Sequence, residues 1–260
     1  MTVTNDANEG QPTSTRCIDC NRVPLFESFH WLALALKDFK RSPLICLGYG
    51  LVFSIVPAAI LYLAYETHNF FVIFPASIAY ALIGPVFAIG LYDVAWELEK
   101  GRKPTFRHSW HSMFRNPVSE WGFAILLMVL MIIWMRIASI VYALYPSHSD
   151  PTLEELLAFL CIGTGLGAIL ATAVFTISAF TPQIVMERKV DIITAVISSI
   201  NAVKQNAGAM MVWGACIFVL VLLGFLTGAL GFIIIMPILS LASWHAYIAV
   251  IKTKIKRNYE

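Results

Sequence analysis

Arg136 stands in a run, Trp121 to Tyr145, that holds no other Asp, Glu, Lys or Arg. A fixed positive charge inside such an apolar helix is costly unless it meets a counter-charge, a cavity or the nearest interface. Counted from Trp121 at 1.5 Å per residue, it lies about 22 Å along the helix, in the outer half. Two roles are open to it. With Glu66, Glu154 or Glu155 as partner it is a snorkelling residue in a structural ion pair; facing a ligand, it suits an anionic substrate or a lipid headgroup. Asp93 and His245 form a second candidate: each lies eight residues after a proline, Pro85 or Pro237, and each follows an aromatic residue, Tyr92 or Trp244. At equal depth an Asp–His pair can relay protons or orient a ligand; the plain alternative is two polar residues in an aromatic interfacial belt. Cys17-x-x-Cys20 is half of a zinc or redox motif, with His30 as the third ligand it would need. In a reducing compartment the plain alternative is two free thiols.

The composition sets what can hold these residues. Of 260 residues, 58% are hydrophobic and 13% charged, and the mean hydropathy is +0.74. Soluble domains carry about 25% charged residues, so the chain has roughly half the polar coat that water demands. A net charge of +2 excludes bulk attraction to polyanions, and three of the five cysteines, Cys46, Cys161 and Cys216, fall in apolar runs instead of a disulfide framework. No nucleotide-binding glycine loop, metalloprotease motif or serine elbow is present. No cofactor, resident metal or nucleic-acid partner is expected; the expected partner is the lipid bilayer.

A bilayer core of about 30 Å takes roughly 20 helical residues to cross. Six such stretches are expected, at about 44–65, 69–92, 121–145, 156–181, 209–228 and 231–251. The last two form one charge-free run that would be about 67 Å long as a single helix, so it must turn back, with Gly228 and Gly231 as the natural hinge. Every Lys and Arg except Arg136 falls on one side of this pattern, and the other side has only Glu66, Asp150, Glu154 and Glu155. Basic flanks stay in the cytoplasm. Both termini are therefore expected there, with residues 1–23 a disordered tail without an apolar signal segment and 253–260 a basic tail.

Each pair of crossings is preceded by a segment with helical periodicity. Leu25, Phe29, Leu32, Leu36 and Phe39 form one stripe; Phe106, Trp110 and Met113 a second; Ile193, Val196, Ile200 and Val203 a third. A moderately apolar face with a polar back suits the headgroup layer. The joins also repeat, as Lys40-Arg41-Ser42-Pro43, Phe114-Arg115-Asn116-Pro117 and Lys204-Gln205-Asn206-Ala207. The expectation is an all-α polytopic membrane protein, spanning 24–252, of three hairpins, each preceded by a cytoplasmic amphipathic surface helix. The pairs Gly163-x-x-x-Gly167 and Gly224-x-x-x-Gly228 permit close helix approach, within the bundle or toward another copy.

Gly84-Pro85-Val86-Phe87-Ala88-Ile89-Gly90-Leu91-Tyr92 with Glu99-Lys100-Gly101, Trp134-Met135-Arg136, Met186-Glu187-Arg188-Lys189-Val190-Asp191 and Trp244-His245-Ala246-Tyr247 resemble the signature of a bacterial integral membrane protein family, domain of unknown function 2189. The resemblance covers roughly residues 22–252 and implies no assigned activity or site. Some members carry a cytochrome c oxidase label. An oxidase subunit holds haem and copper with several imidazoles on its crossings, whereas here His30, His108 and His111 fall in cytoplasmic segments, His68 and His148 in outer turns, and only His245 in a crossing. What remains of the label is association with, or assembly of, a respiratory-chain complex. The expected function is thus a non-catalytic accessory, scaffold or assembly protein, with a small transporter or lipid-handling protein as the alternative. Topology is the first thing to measure: single cysteines near 105, 190 and 255 should react only from the cytoplasm, those near 67 and 150 only from outside. Labelling of the 100–116 segment from outside would overturn the arrangement.

Overall fold

A computed structural model describes residues 17–67, 73–114, 116–143, 152–188 and 190–252. The turns at 68–72 and 144–151 lie outside the described residues, as do residues 1–16 of the expected disordered segment and the 253–260 tail. The regular elements are helical: α1 (Glu27–Arg41), α2 (Pro43–Thr67), α3 (Ile73–Glu99), α4 (Phe106–Ser112), α5 (Pro117–Tyr142), α6 (Leu153–Ser178), α7 (Thr181–Arg188), α8 (Ile192–Gln205), α9 (Ala207–Leu226) and α10 (Phe232–Val250). Five stretches, Pro43–Ile60, Pro117–Tyr142, Leu156–Arg188, Ala207–Leu226 and Phe232–Val250, are long and apolar enough to cross a membrane. Helix α3, at 27 residues, has the length of its neighbours.

Local chemistry explains the breaks. Pro43 and Pro117 open α2 and α5, where a missing N–H costs nothing. Gly228 and Ala229 take left-handed backbone (φ 64° and 71°) between α9 and α10, and the Ala229 carbonyl accepts a hydrogen bond from Ser54 Oγ at 2.9 Å. The sequence did not announce α7. Pro182 cannot donate to the Ser178 carbonyl and its ring crowds that position, so α6 stops at Ser178 and the chain restarts with Thr181–Met186 buried.

The three short helices α1, α4 and α8 share a design. Each turns mainly small and polar residues inward: Ser28, Ala35 and Asp38 beside Trp31 on α1, Ser109 and Ser112 on α4, Ala195, Ser198, Ser199 and Ala202 beside Val203 on α8. Large apolar residues face out, among them Phe29 and Leu36, Phe106 and Trp110, and Ile193 and Ile197. Of the residues expected on the wet backs, His30, Lys37, Arg41, Arg107 and His111 are exposed and Ser198 is buried, while Met113 and Val203 of the expected apolar stripes are buried. Helix α1 lies along α10, α4 on α3, and α8 on α6 and α7. Each thus docks on the second long helix of the unit before it, and the first closes on the last. Between the long helices, α2 packs along α10 and α5 along α3, but α9 makes no comparable contact with α6.

Residues 17–23 depart from the expected disorder. Cys20 bridges Ile251 in antiparallel fashion, Asn21 N–H donates to Val250 O at 2.7 Å, and Lys252 N–H donates to Asp19 O at 3.0 Å. The extended backbone leaving α10 offers these partners, and Ser198 Oγ accepts from Ile18 N–H at 3.0 Å.

Close approach is the tightest constraint on the bundle. A methyl group on Gly50 would run into the Ile233 carbonyl, whereas one on Gly48 would meet nothing within 4 Å. Gly50→Ala should lower the melting temperature in detergent sharply, by more than 2 kcal/mol of stability on the scale of core overpacking. Gly48→Ala should be neutral or stabilising by up to about 1 kcal/mol, the propensity gain of Ala over Gly in a helix. Equal effects would mean that α2 and α10 are not in contact there.

Candidate functional site

The ionisable groups gather at the end of the bundle where the short helices lie. Helix α3 ends in a turn whose left-handed residue is Gly101 (φ 71°), with Arg102 N–H bonded back to Glu97 O at 2.9 Å. This reversal brings the Arg102 guanidinium to 2.7 Å from Glu97 Oε1, with Lys100 Nζ at 3.5 Å from the same oxygen. Thr105 then caps α4, accepting a hydrogen bond from His108 N–H, and so sets the direction of the next turn. His108 Nδ1 lies 2.7 Å from Asp93 Oδ2, one helical turn before Glu97 on the same face of α3. Asp93 is 1% exposed. Burial pushes the Glu97 carboxyl up, but the hydrogen bond from Arg102 and the charges of Lys100, Arg102 and His108 outweigh it and hold it below the ordinary range.

Asp93 and His245, predicted as a pair, are each given another partner. His245 Nε2 lies 2.7 Å from Asp38 Oδ2, which α1 delivers, and Arg41 adds its charge at 3.6 Å. The outcome is two Asp–His links, each tying a short helix to a long one. They flank an aromatic cluster in which Trp244 stacks on Tyr92 and touches Trp96 and Tyr247, with Lys100 Nζ 3.3 Å from the Trp96 ring centroid. Trp244 Nε1 donates to Glu99 Oε2 at 3.2 Å, and Tyr247 OH donates to Glu187. The equivalence of Asp93 and His245 was legible. Their partners were not, since these come from elements about fifteen and two hundred residues away.

Asp93, Glu97 and His108 offer ligand atoms within 4.8 Å of one another, the grouping of that kind among the described residues. Arg102 and Lys100 already supply the positive charge that a metal ion would bring to Glu97. His30 is exposed on α1 and does not join Cys17 and Cys20 in such a cluster. Burial, with Cys17 and Asp19 beside it, pushes the Cys20 thiol up, away from the thiolate that metal ligation or exchange requires. Its Sγ accepts a weak hydrogen bond from Asn201 at 3.9 Å. Arg136 is exposed on α5, six residues before the end of that helix, and has no ion-pair partner among the described residues. The Glu155 side chain lies outside them.

Beyond the aromatic cluster lies a cavity of about 630 Å³ that the sequence did not signal. Every long helix lines it: Phe53 from α2, Ala88 from α3, Trp134 from α5, Val174 from α6, Ile217 from α9 and Leu239 from α10. No charged residue does. It is open to the surroundings and not a sealed void, so whatever adjoins the bundle can fill it.

Residues 73–187 match the family model described as predicted integral membrane protein (DUF2189), the family that the sequence motifs resemble. The match and the long apolar helices together describe a multi-pass integral membrane protein. No curated protein and no solved structure matched the chain.

The Glu97 cluster gives a pH test. Because its carboxyl is held below the ordinary value of 4.5, its contribution to stability is present above that pH and is lost as pH falls through the lower, folded value. The wild-type protein should melt higher than Glu97→Gln by a constant margin from pH 7 to about 5, with the margin shrinking below 4.5. The Arg102 side chain is 59% exposed, so solvent keeps the margin modest. A margin that grows on acidification would contradict the assigned charges.

Proposed function

We propose that this protein is a six-crossing component of the bacterial inner membrane, with both termini cytoplasmic, that acts without chemistry of its own as a scaffold or assembly accessory. Helix α3 is the sixth crossing, and α1, α4 and α8 lie in the cytoplasmic headgroup layer with Phe29, Trp110 and Ile193 outward. In favour of this placement, the outward residues of these helices are large and apolar although water has no use for them there.

The observation that carries the scaffold reading is the α5–α6 hairpin. Hardly any of α5 and none of the apolar window of α6 is buried, against half of α10. On this uncovered hairpin stand Arg136 and the α6 glycines Gly165 and Gly167, where added methyl groups would meet nothing within 4 Å. Of the Gly163-x-x-x-Gly167 pair only Gly163 faces a neighbour, Val141, whereas Gly224 packs on Phe232. Small residues and one cation on an open apolar face suit a partner helix with an acidic or carbonyl-rich end. A respiratory-chain complex is the partner that the oxidase label of some similar proteins suggests, with this chain as accessory and not redox subunit. The alternative, lipid handling, draws its support from the central cavity.

Affinity purification from native membranes tests the reading on Arg136→Gln beside Arg136→Lys. Neither variant should shift the melting temperature, since Arg136 has no ion-pair partner among the described residues, while Gln should reduce co-purified partner about tenfold and Lys less, because amide donors replace a fixed charge poorly. Unchanged recovery with Gln would remove Arg136 from the interface. A fall in stability with both variants would return it to a structural role.

A further inference from the structure

We infer that the central cavity is a binding site for one acyl chain of a bilayer phospholipid, which enters from the side between α6 and α9. The lining excludes other classes of occupant. Its walls are almost wholly hydrocarbon, and the hydroxyl of Ser243 at one end already donates to Leu239 O at 2.8 Å. An ion or polar solute would lose its hydration there and gain few partners, since Ser240, Tyr92 and Trp134 are the other lining residues with a polar side-chain atom. A hydrocarbon chain loses nothing by entering, and fills space whose lining side chains otherwise lack contacts.

The route follows from the packing of the three units. Two of the three seams between units are closed, α2 on α10 and α5 on α3, while α6 and α9 have no comparable contact. Val174 and Ile217 stand on the two sides of that third seam and both line the cavity. In a bilayer the seam faces acyl chains at solvent concentration, so mass action favours them over any scarce apolar solute. The cavity runs from Gly84 to Tyr92 on α3 and from Leu127 to Trp134 on α5, about 10–12 Å of helix at 1.5 Å per residue. That is well short of the roughly 30 Å hydrocarbon core. It takes part of one chain and leaves the headgroup outside the bundle.

Gly84 provides the test, because it lines the cavity and a methyl group added there would meet nothing within 4 Å. The full chain is purified in detergent, washed extensively, and its retained lipid is measured by native mass spectrometry and solvent extraction. Wild type should retain about one phospholipid per chain, and Gly84→Phe at least fivefold less at an unchanged or higher melting temperature. Gly165→Leu, on the outward face of α6, should retain as much as wild type. The inference is overturned if washed wild type holds no phospholipid, if it holds a polyprenyl chain instead, or if Gly84→Phe and Gly165→Leu behave alike.

A second measurement stands should Gly84→Phe not fold. In vesicles of phosphatidylcholine brominated at mid-chain, the emission lost on Trp134→Phe substitution should belong to the strongly quenched fraction, and Ala88→Leu should relieve that quenching. Unquenched Trp134 emission would also overturn the site. Gly84→Phe and Ala88→Leu, on α3, leave Arg136 and the exposed hairpin untouched, so the cavity and the docking reading fail independently.

Discussion

Apolar burial cannot by itself hold helices together in lipid, since the surrounding chains are as apolar as the helix faces. What holds these units in register is a set of buried hydroxyls on the short helices. Ser28 Oγ donates to Ala209 O, Ser109 Oγ to Gly90 O at 2.6 Å, and Ser199 Oγ to Thr176 O at 2.9 Å. Each bond crosses from a short helix to a long one, and each buried hydroxyl left without a partner would cost about 1–3 kcal/mol. The small residues between these serines let the helix backbones come close enough for the bonds to form. Larger side chains at Ala35, Ala195 or Ala202, all fully buried, would lift the short helices off.

Other features follow from this docking. Once α1 lies on α10, Asp38 reaches His245; once α4 lies on α3, His108 reaches Asp93 and Tyr49 OH lies 2.8 Å from Ser109 Oγ. Trp31 of α1 meets Trp213 of α9 edge to face, with ring centroids 5.8 Å apart. The ionisable groups of this end are neutralised by the same contacts that position the helices. That is a structural use of residues whose types also suit proton relay, and it argues for placing any functional contact of the protein elsewhere: on the uncovered hairpin and in the central cavity.

What the sequence revealed divides along the range of the interaction. Helix lengths, the proline-opened joins and the turn at Gly228 depend on neighbouring residues and were legible. Phe29, Leu36, Phe106 and Trp110 of the expected apolar stripes are exposed, as are Lys37, Arg41, Arg107 and His111 of the expected polar backs, but Met113 and Val203 are buried, because periodicity does not report the flank of small residues on which each short helix packs. Ser28, Asp38, Ser109 and Ser198 are buried through partners on other elements. Asp93 and His245 were matched by position, and a repeat creates such equivalence without bringing the two residues together. Residues 17–23 read as part of a disordered tail by composition, yet backbone pairing with 250–252 uses no side-chain pattern at all. The cavity has no signature in the sequence, since it is defined by the spacing among all the long helices.

The inequality of the three seams has a visible cause in the glycines. At the first seam Gly50 of α2 lies against the Ile233 backbone of α10, and inside the first unit Gly90 of α3 lies against Tyr49 of α2 and against Met113, which follows α4. In both places the absent side chain is filled by protein. Facing the third seam and the outside, Gly165 and Gly167 of α6 and Gly214 of α9 have nothing within 4 Å of where a Cβ would stand. The α6 backbone is also broken just beyond this region at Ser178 by Pro182, so the lower part of the unit follows α7 toward α3 and α5 instead of α9. The α2–α10 seam therefore closes on glycine, while the third seam keeps its glycines uncovered and stays open. In a bilayer that opening is filled by whatever apolar matter adjoins it, which makes the α6–α9 side, with its direct path to the cavity, the place where lipid and protein packing become interchangeable.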